Sequence, residues 1–140
     1  MKWQELVKGA ILVDKKVKYW IDIAKYDLET AEAMLNAKRY LYVGFMCHQV
    51  IEKSVKAYYQ KKVIETPPYI HDLNKLAIKS NLISKMTEEQ INFIFLLNPF
   101  NIESRYPSYK DRIAKTLTSD FCNNILEKTK EMQRWIEKQL

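Results

Sequence analysis

Apolar residues at intervals of three and four positions run through most of this chain, and this spacing constrains the fold more than any other feature. Apolar residues at such intervals lie on one face of an α-helix, whereas a half-buried strand needs strict alternation. Only two glycines and four prolines interrupt the pattern. The sequence therefore predicts an all-α fold in which more than half of the residues are helical and no sheet forms. The clearest stripe comprises Val17, Trp20, Ile21, Ala24, Leu28, Ala31 and Leu35.

The first two long helices are predicted to be neighbours in space. The first spans about residues 14–36, with Asp14 as its expected N-cap. Residues 1–13 have helical spacing as well and form either a short leading helix or an extension of the first one. The second helix runs from Arg39 or Tyr40 to about Lys62, and the short break before it makes the two helices antiparallel.

Stop and start signals divide the rest of the chain. Two prolines after Thr66 end helix formation, and the residues from Thr87 to Gln90 form a capping box. A short helix is predicted at about residues 71–80, a fourth between Thr87 and Pro99, and a last one from Thr118 or Ser119 onwards. With 140 residues and no repeat or linker, the chain reads as a single domain, residues 1–140, folded as an antiparallel four- to five-helix up-and-down bundle.

A segment of about twenty residues, 98–117, is predicted to be a long loop because it contains Pro99 and Pro107. Loops of this length inside a compact domain are uncommon and often functional. The segment includes Arg105 and Tyr106, which can hold a phosphate and stack on a base. Alternatively, Arg105 pairs with Glu103 and fixes the loop.

The second helix carries a polar group whose members share one face. His48, Glu52 and Lys56 follow one another at intervals of four residues, and Lys53 lies beside them. Such a set can bind phosphate or move protons. The alternative is a solvated outward face with an ordinary Glu52–Lys56 pair.

The sequence gives little support for a catalytic dyad, a metal site or a cofactor site. His71 and Asp72 are adjacent and cannot face each other on a helix, so a capping role is expected. His48 and Glu52 lack the second histidine of a zinc protease helix, so we predict no metal, and the absence of a glycine-rich phosphate loop leaves no cofactor indicated. Cys47 and Cys122 are expected in the core on separate helices.

Net charge, hydropathy and cysteine content indicate which partners and which cellular compartment to expect. The net charge of +6 permits a nucleic-acid or nucleotide partner without requiring one, since most of the positive charge is lysine. The longest apolar run, residues 40–47, is far shorter than the roughly 18 residues of a membrane span, so no membrane association is expected. Because a disulfide is not expected, we predict that both cysteines are reduced and that the protein is cytoplasmic.

The sequence contains four notable blocks, which are Trp20-Ile21-x-x-Ala24-x-x-Asp27-Leu28-x-x-Ala31, then residues 47–57 (CHQVIEKSVKA), then His71-Asp72-Leu73, then Arg105-Tyr106-Pro107. In this order and with these gaps, the blocks resemble the HEPN domain family over nearly the whole chain from Trp20.

This resemblance implies a helical bundle, usually a homodimer, that is found beside small nucleotidyltransferases in two-gene, toxin–antitoxin-like systems of bacteria and archaea. It implies binding of a nucleotide or RNA, and many members are metal-independent ribonucleases that use an Arg followed four to six residues later by a His. Here the positions after Arg105 are Lys110, Asp111 and Arg112, and those after Arg112 are Leu117, Thr118 and Ser119. We therefore expect a binding protein rather than a strong ribonuclease, with a degenerate Arg/His ribonuclease or a structural dimeric subunit as the alternatives.

The expected ligand site combines the two polar regions. Arg105 and Tyr106 are predicted to face the second helix across a groove, where a guanidinium and ammonium groups converge on a phosphate. The residues on the second helix are His48, Glu52, Lys53 and Lys56.

Overall fold

The computed structural model describes residues 2–102 and 107–140, and this part of the chain is all-helical, with 83% helix and no strands. The prediction of an all-α bundle is confirmed. A 3-10 turn, Leu82–Lys85, separates the third helix from the fourth. The helices are α1 Trp3–Asn36, α2 Tyr40–Val63, α3 Leu73–Lys79, α4 Glu88–Leu97, α5 Pro99–Ile102, α6 Pro107–Thr116 and α7 Ser119–Lys138.

Helix α1 is one continuous helix of 34 residues, so residues 3–13 are the first part of the same helix. The prediction that Asp14 caps the helix is wrong, because Asp14 lies inside α1 and accepts a hydrogen bond from Lys61 Nζ at 2.9 Å. Gly9 does not break the helix, since a single glycine costs only about 1 kcal/mol relative to alanine.

Helix α2 is the centre of the bundle and packs against α1, α7 and the short helices. The break between α1 and α2 is as short as predicted, and Lys38 within it adopts a positive φ of 59°. Ion pairs from Lys25 to Glu137 and from Lys130 to Glu32 show that α7 runs antiparallel to α1. The fully buried core side chains include Val43, Cys47, Ile51, Leu73, Leu76, Ile94, Leu97, Ile125 and Ile136.

Side-chain caps fix the starts of three helices, as their sequences predict. Asp72 accepts from the backbone N–H of Lys75 and caps α3. Thr87 and Gln90 form the full capping box of α4, and Thr118 caps α7. Each cap satisfies a backbone donor that would otherwise have no partner.

The prediction of a long loop over residues 98–117 is wrong, because two helices, α5 and α6, lie in it. Both begin with a proline, Pro99 and Pro107, and the first helical position is the one that proline tolerates well. Phe100 packs closely on α2, where a Cβ added to Gly44 would come within 3.2 Å of the Phe100 ring. The glycine therefore permits the close approach of α5 to α2.

Both cysteines are buried and free, as the sequence predicts. None of the helices in the described residues has the length and apolar character needed to cross a membrane.

Candidate functional site

A buried carboxylate, that of Glu52 in the middle of α2, is the centre of a cluster of charged and titratable side chains. Its Oε2 atom lies 3.2 Å from the Nζ atoms of both Lys53 and Lys56. Its Oε1 atom lies 2.9 Å from His71 Nδ1 and 3.9 Å from His48 Nδ1. One carboxylate thus holds two ammonium groups on one oxygen and one imidazole on the other.

The interpretation of this face of α2 as solvated is wrong. His48 and Glu52 are fully buried and Lys56 is 4% exposed, whereas the Lys53 side chain reaches the surface with 20% exposure. Packing covers the face, since α1 lies along one side of α2 and the segment leading into α3 lies near the other. The spacing in the sequence correctly predicts that these residues share one face of α2, but it does not predict which elements pack on that face.

The pKa of Glu52 reflects this paired environment. Burial pushes the pKa upward, but the positive charges of Lys56 and Lys53, with the hydrogen bond to His71, outweigh it and hold the pKa below its usual value. Glu52 is therefore ionised at neutral pH and orients both lysines.

Aromatic rings enclose the two lysines. The Nζ atoms of Lys53 and Lys56 lie 5.8 and 5.7 Å from the centre of the Trp20 ring on α1. Lys56 Nζ also lies 5.9 Å from the ring of Tyr69, which packs edge-on to His71. These distances permit cation–π attraction, which the partial exclusion of water strengthens. The Tyr69 side chain is 91% exposed and presents its ring to solvent.

His48 lies deeper than the lysines and stays neutral. Desolvation lowers its pKa to about 4, although the Glu52 carboxylate raises it in part. Beside it, Gln49 Nε2 donates to Asn101 Oδ1 at 3.0 Å, and this bond ties α2 to α5. His48 is thus a structural part of the site and is shielded from solvent.

Asp27 on α1 is a further acidic group near the cluster. Burial raises its pKa, the Lys53 charge lowers it and the Glu52 charge raises it again. The carboxyl therefore gains a proton more readily than an exposed aspartate does.

The structure brings together four of the six residues predicted for the site, His48, Glu52, Lys53 and Lys56. The other two, Arg105 and Tyr106, lie outside the described residues.

Four residues of the cluster were missed by the sequence reasoning for the site. Trp20 and Asp27 share a face of α1, seven positions apart, and both belong to the first block of the resemblance. His71 was assigned a capping role, whereas its neighbour Asp72 is the cap and His71 bonds to Glu52. Tyr69 had no signal beyond an aromatic residue next to two prolines.

Metal ligation has no geometric basis in the described residues, which contain no group of three or more His, Cys, Asp or Glu side chains arranged to hold an ion. The nitrogen donors beside Glu52 are instead ammonium groups and a histidine already bonded to the carboxylate.

Comparisons with known families and solved structures identify the family and the fold of the chain. The HEPN domain model matches residues 17–139, and the chain therefore belongs to the HEPN family. The crystal structure of TT1696 from Thermus thermophilus superposes with a TM-score of 0.76 at 18% identity, covering 89% of this chain and 98% of that one. This likeness shows a shared fold. A search of curated proteins found no match.

Proposed function

We propose that this HEPN-family protein binds a nucleotide or a single strand of RNA through its phosphates at the cluster of Trp20, Lys53, Lys56 and Tyr69. The observation that carries the proposal is the convergence of two ammonium groups on one buried carboxylate, beside an exposed tyrosine ring.

Glu52 prepares the lysine pair for an anion. Both Nζ atoms lie 3.2 Å from the same Oε2 atom, so at most twice that distance separates them. Each ammonium has three donors, and Glu52 uses one of each. The remaining donors of Lys53, whose side chain is 20% exposed, can bind phosphate oxygens with charge-assisted hydrogen bonds, worth roughly 1.5–3 kcal/mol each, and the nearly buried Lys56 adds its positive charge to the site. With Glu52 included, the lysine pair keeps one net positive charge.

Aromatic residues next to the lysines favour a nucleotide over a free phosphate. Every base has a face that stacks on an aromatic ring, and such stacking contributes roughly 1–3 kcal/mol per base. The exposed Tyr69 ring is available for this contact. Trp20 also lines a surface pocket of about 270 Å³, together with Lys15, Lys16 and Tyr19. Lysines and rings thus continue beyond the cluster, which favours a strand with several phosphates.

Arg105 and Tyr106 remain part of the proposal as a second phosphate and base contact. Their support is their position in the sequence, four and five residues after Asn101, which is buried and hydrogen-bonded to Gln49 next to His48. Covalent geometry limits the distance between the Cα atoms of Asn101 and Arg105 to about 15 Å.

Burial of His48 supports binding over strand cleavage. A general acid or base must reach the substrate directly or through one water. His48 is fully buried and its lowered pKa keeps it neutral, and His71 is engaged by Glu52. Neither histidine is arranged to replace the one that the ribonuclease pattern requires.

Pairing with a small nucleotidyltransferase is the proposed protein interaction. Family membership supports it, and helix α4 offers apolar surface for a partner, since Phe95 is 71% exposed and Leu96 is 42% exposed.

Lys53→Ala is expected to weaken binding of a fluorescein-labelled single-stranded RNA about tenfold or more, measured by fluorescence anisotropy at low salt. The loss of one charge-assisted bond gives this size. Lys53 is the better test residue than Lys56 because its side chain is partly exposed and Glu52 keeps its other partners. The melting temperature should therefore change little.

Lys128→Ala on α7 is the matched control, since it removes an equal charge from the groove between α4 and α7. It should weaken binding no more than about twofold, through the change in net charge alone. Equal affinities for wild type and Lys53→Ala, or an equal loss in both variants, would contradict the proposed site.

A further inference from the structure

Helices α4 and α7 line opposite sides of one open groove. Both pack on α2, but they make few direct contacts with each other. Two cavities, of about 320 and 520 Å³, lie between them and share Glu89, Phe93 and Lys128, so they form one continuous groove. We call it the α4–α7 groove. Along α4 it extends from Thr87 to Leu96, which is about 14 Å of helix.

Each wall of the α4–α7 groove is one face of a helix. The central lining residues of α4 recur at intervals of three and four positions, and those of α7 do the same. They are Glu89, Asn92, Phe93 and Leu96 on α4, and Lys128, Glu131, Met132 and Trp135 on α7. A helical stripe that includes apolar residues usually packs on another element. Because these two stripes face the same groove and barely touch each other, they form the two walls of a site for a third helix.

The floor of the α4–α7 groove is apolar, and apolar surface continues at one end of it. Phe93 and Met132 belong to the core and are 7% and 3% exposed. At the far end of α4, Leu96 is 42% exposed and its neighbour Phe95 is 71% exposed. Continuous apolar surface of this kind indicates an interaction site, whereas a single exposed apolar side chain does not. The groove therefore fits the apolar face of an amphipathic helix.

The two rims of the groove are acidic in a chain that is basic overall. Glu88 and Glu89 lie on the α4 rim and Glu131 on the α7 rim, all three exposed and without an ion pair among the described residues. With Lys128, the three carboxylates leave a net charge of −2 in the groove, whereas the whole chain carries +6. Glu131 lies in the middle of α7, where the helix dipole gives a carboxylate no advantage. Carboxylates on both rims complement positive charges on both flanks of an occupant.

We propose that the α4–α7 groove binds a basic amphipathic helix of a partner protein. The apolar stripe of that helix covers Phe93 and Met132, and its lysine or arginine side chains pair with Glu88 and Glu89 on one rim and with Glu131 on the other. A helix with acidic flanks is disfavoured by the same carboxylates. The inference requires neither the phosphate site at Glu52 nor a nucleotidyltransferase, because it specifies only the chemistry of the docking segment.

A designed peptide tests the charge complementarity. The probe is a capped, fluorescein-labelled helical peptide of about 14 residues, with leucines at intervals of three and four and lysines on both flanks of the leucine stripe. We expect the full chain to bind it with a dissociation constant of tens of micromolar at low salt, measured by fluorescence anisotropy. Glu89→Gln/Glu131→Gln should weaken binding at least fivefold, since one carboxylate is lost from each rim.

The matched control is Glu5→Gln/Glu65→Gln, which removes the same charge from exposed positions outside the groove. It should weaken peptide binding no more than about twofold, through the change in net charge alone. An equal loss of affinity in the two double variants, or no measurable binding of the peptide to wild type, would overturn the proposal.

The apolar contact is tested separately. Leu96→Asp should weaken peptide binding at least tenfold, whereas Ile78→Asp, at a 60% exposed position on α3, should leave it unchanged. A scrambled peptide of the same composition has no leucine stripe and should bind at least tenfold more weakly. Equal binding of the two peptides would show that the groove attracts any cation, and this result would overturn the proposal.

Two further measurements separate this inference from other interactions. Lys53→Ala, which should weaken RNA binding, is expected to bind the peptide as wild type does, so either proposal can fail without the other. Sedimentation equilibrium of the full chain distinguishes a partner protein from a second copy, because Leu96→Asp should keep the mass of wild type. A wild-type dimer that Leu96→Asp converts into a monomer would show that a second copy covers the groove, and would overturn the proposal.

Discussion

Glu52→Gln is expected to lower the free energy of unfolding by about 3 kcal/mol or more, one of the largest effects of any single polar substitution in this chain. Glutamine has nearly the same shape but no charge. Lys56, which is 4% exposed, would then remain in the interior without its counter-ion, and His71 would lose a charged partner. The stability lost is the cost of an uncompensated buried charge.

Urea unfolding at pH 7 measures this loss, with Glu32→Gln as the control. Glu32 pairs with Lys130 at 3.0 Å but is half exposed, so its replacement should cost no more than about 1 kcal/mol. The double variant Glu52→Leu/Lys56→Met, which removes both charges, should recover much of the stability. If Glu52→Gln unfolds at the same urea concentration as Glu32→Gln, the carboxylate does not organise the cluster.

The pH dependence of stability is expected to carry a large contribution from His48. The pKa of His48 falls from 6.5 to about 4 in the folded protein. Between these values the unfolded chain binds a proton that the folded chain does not, so stability falls as the pH is lowered. The contribution is fully present above pH 6.5, decreases by about 2 kcal/mol by pH 5, and levels off below pH 4. The lowered pKa of Glu52 acts in the same direction at lower pH, below about 4.5.

His48→Gln isolates this effect. The variant is expected to be less stable than wild type at pH 7, because the imidazole is fully buried. Between pH 7 and pH 5, the free energy of unfolding of the variant should nevertheless fall by about 2 kcal/mol less than that of wild type. Urea unfolding of both proteins at the two pH values measures this difference. An identical pH dependence for the two proteins would show that folding does not lower the pKa of His48.

The bundle follows from local sequence signals. The stripe of α1, the capping box of Thr87 and the cap at Thr118 are short-range features, and each predicted the correct element. The loop prediction over residues 98–117 failed because prolines were taken as breaks, whereas Pro99 and Pro107 are the first residues of helices.

The site could be predicted only in part because burial depends on neighbours distant in sequence. The spacing of His48, Glu52 and Lys56 places them on one face of α2. Whether that face is solvated depends on Trp20, more than thirty positions earlier, and on His71, nineteen positions after Glu52. The same spacing of polar residues occurs on a helix face covered by other elements and on a face exposed to solvent, so the spacing alone does not distinguish the two.

Mapping the ligand on the protein tests the central claim, phosphate binding at the Glu52 cluster, most directly. ¹H–¹⁵N correlation spectra of the full chain, titrated with a short single-stranded RNA at low salt, report where the ligand lies. We predict that saturable shifts concentrate at Trp20, at residues 52–56 and at residues 69–71, and that Lys53→Ala moves the titration to about tenfold higher RNA concentration. Shifts confined to α4 and α7, or none at millimolar RNA, would contradict the claim.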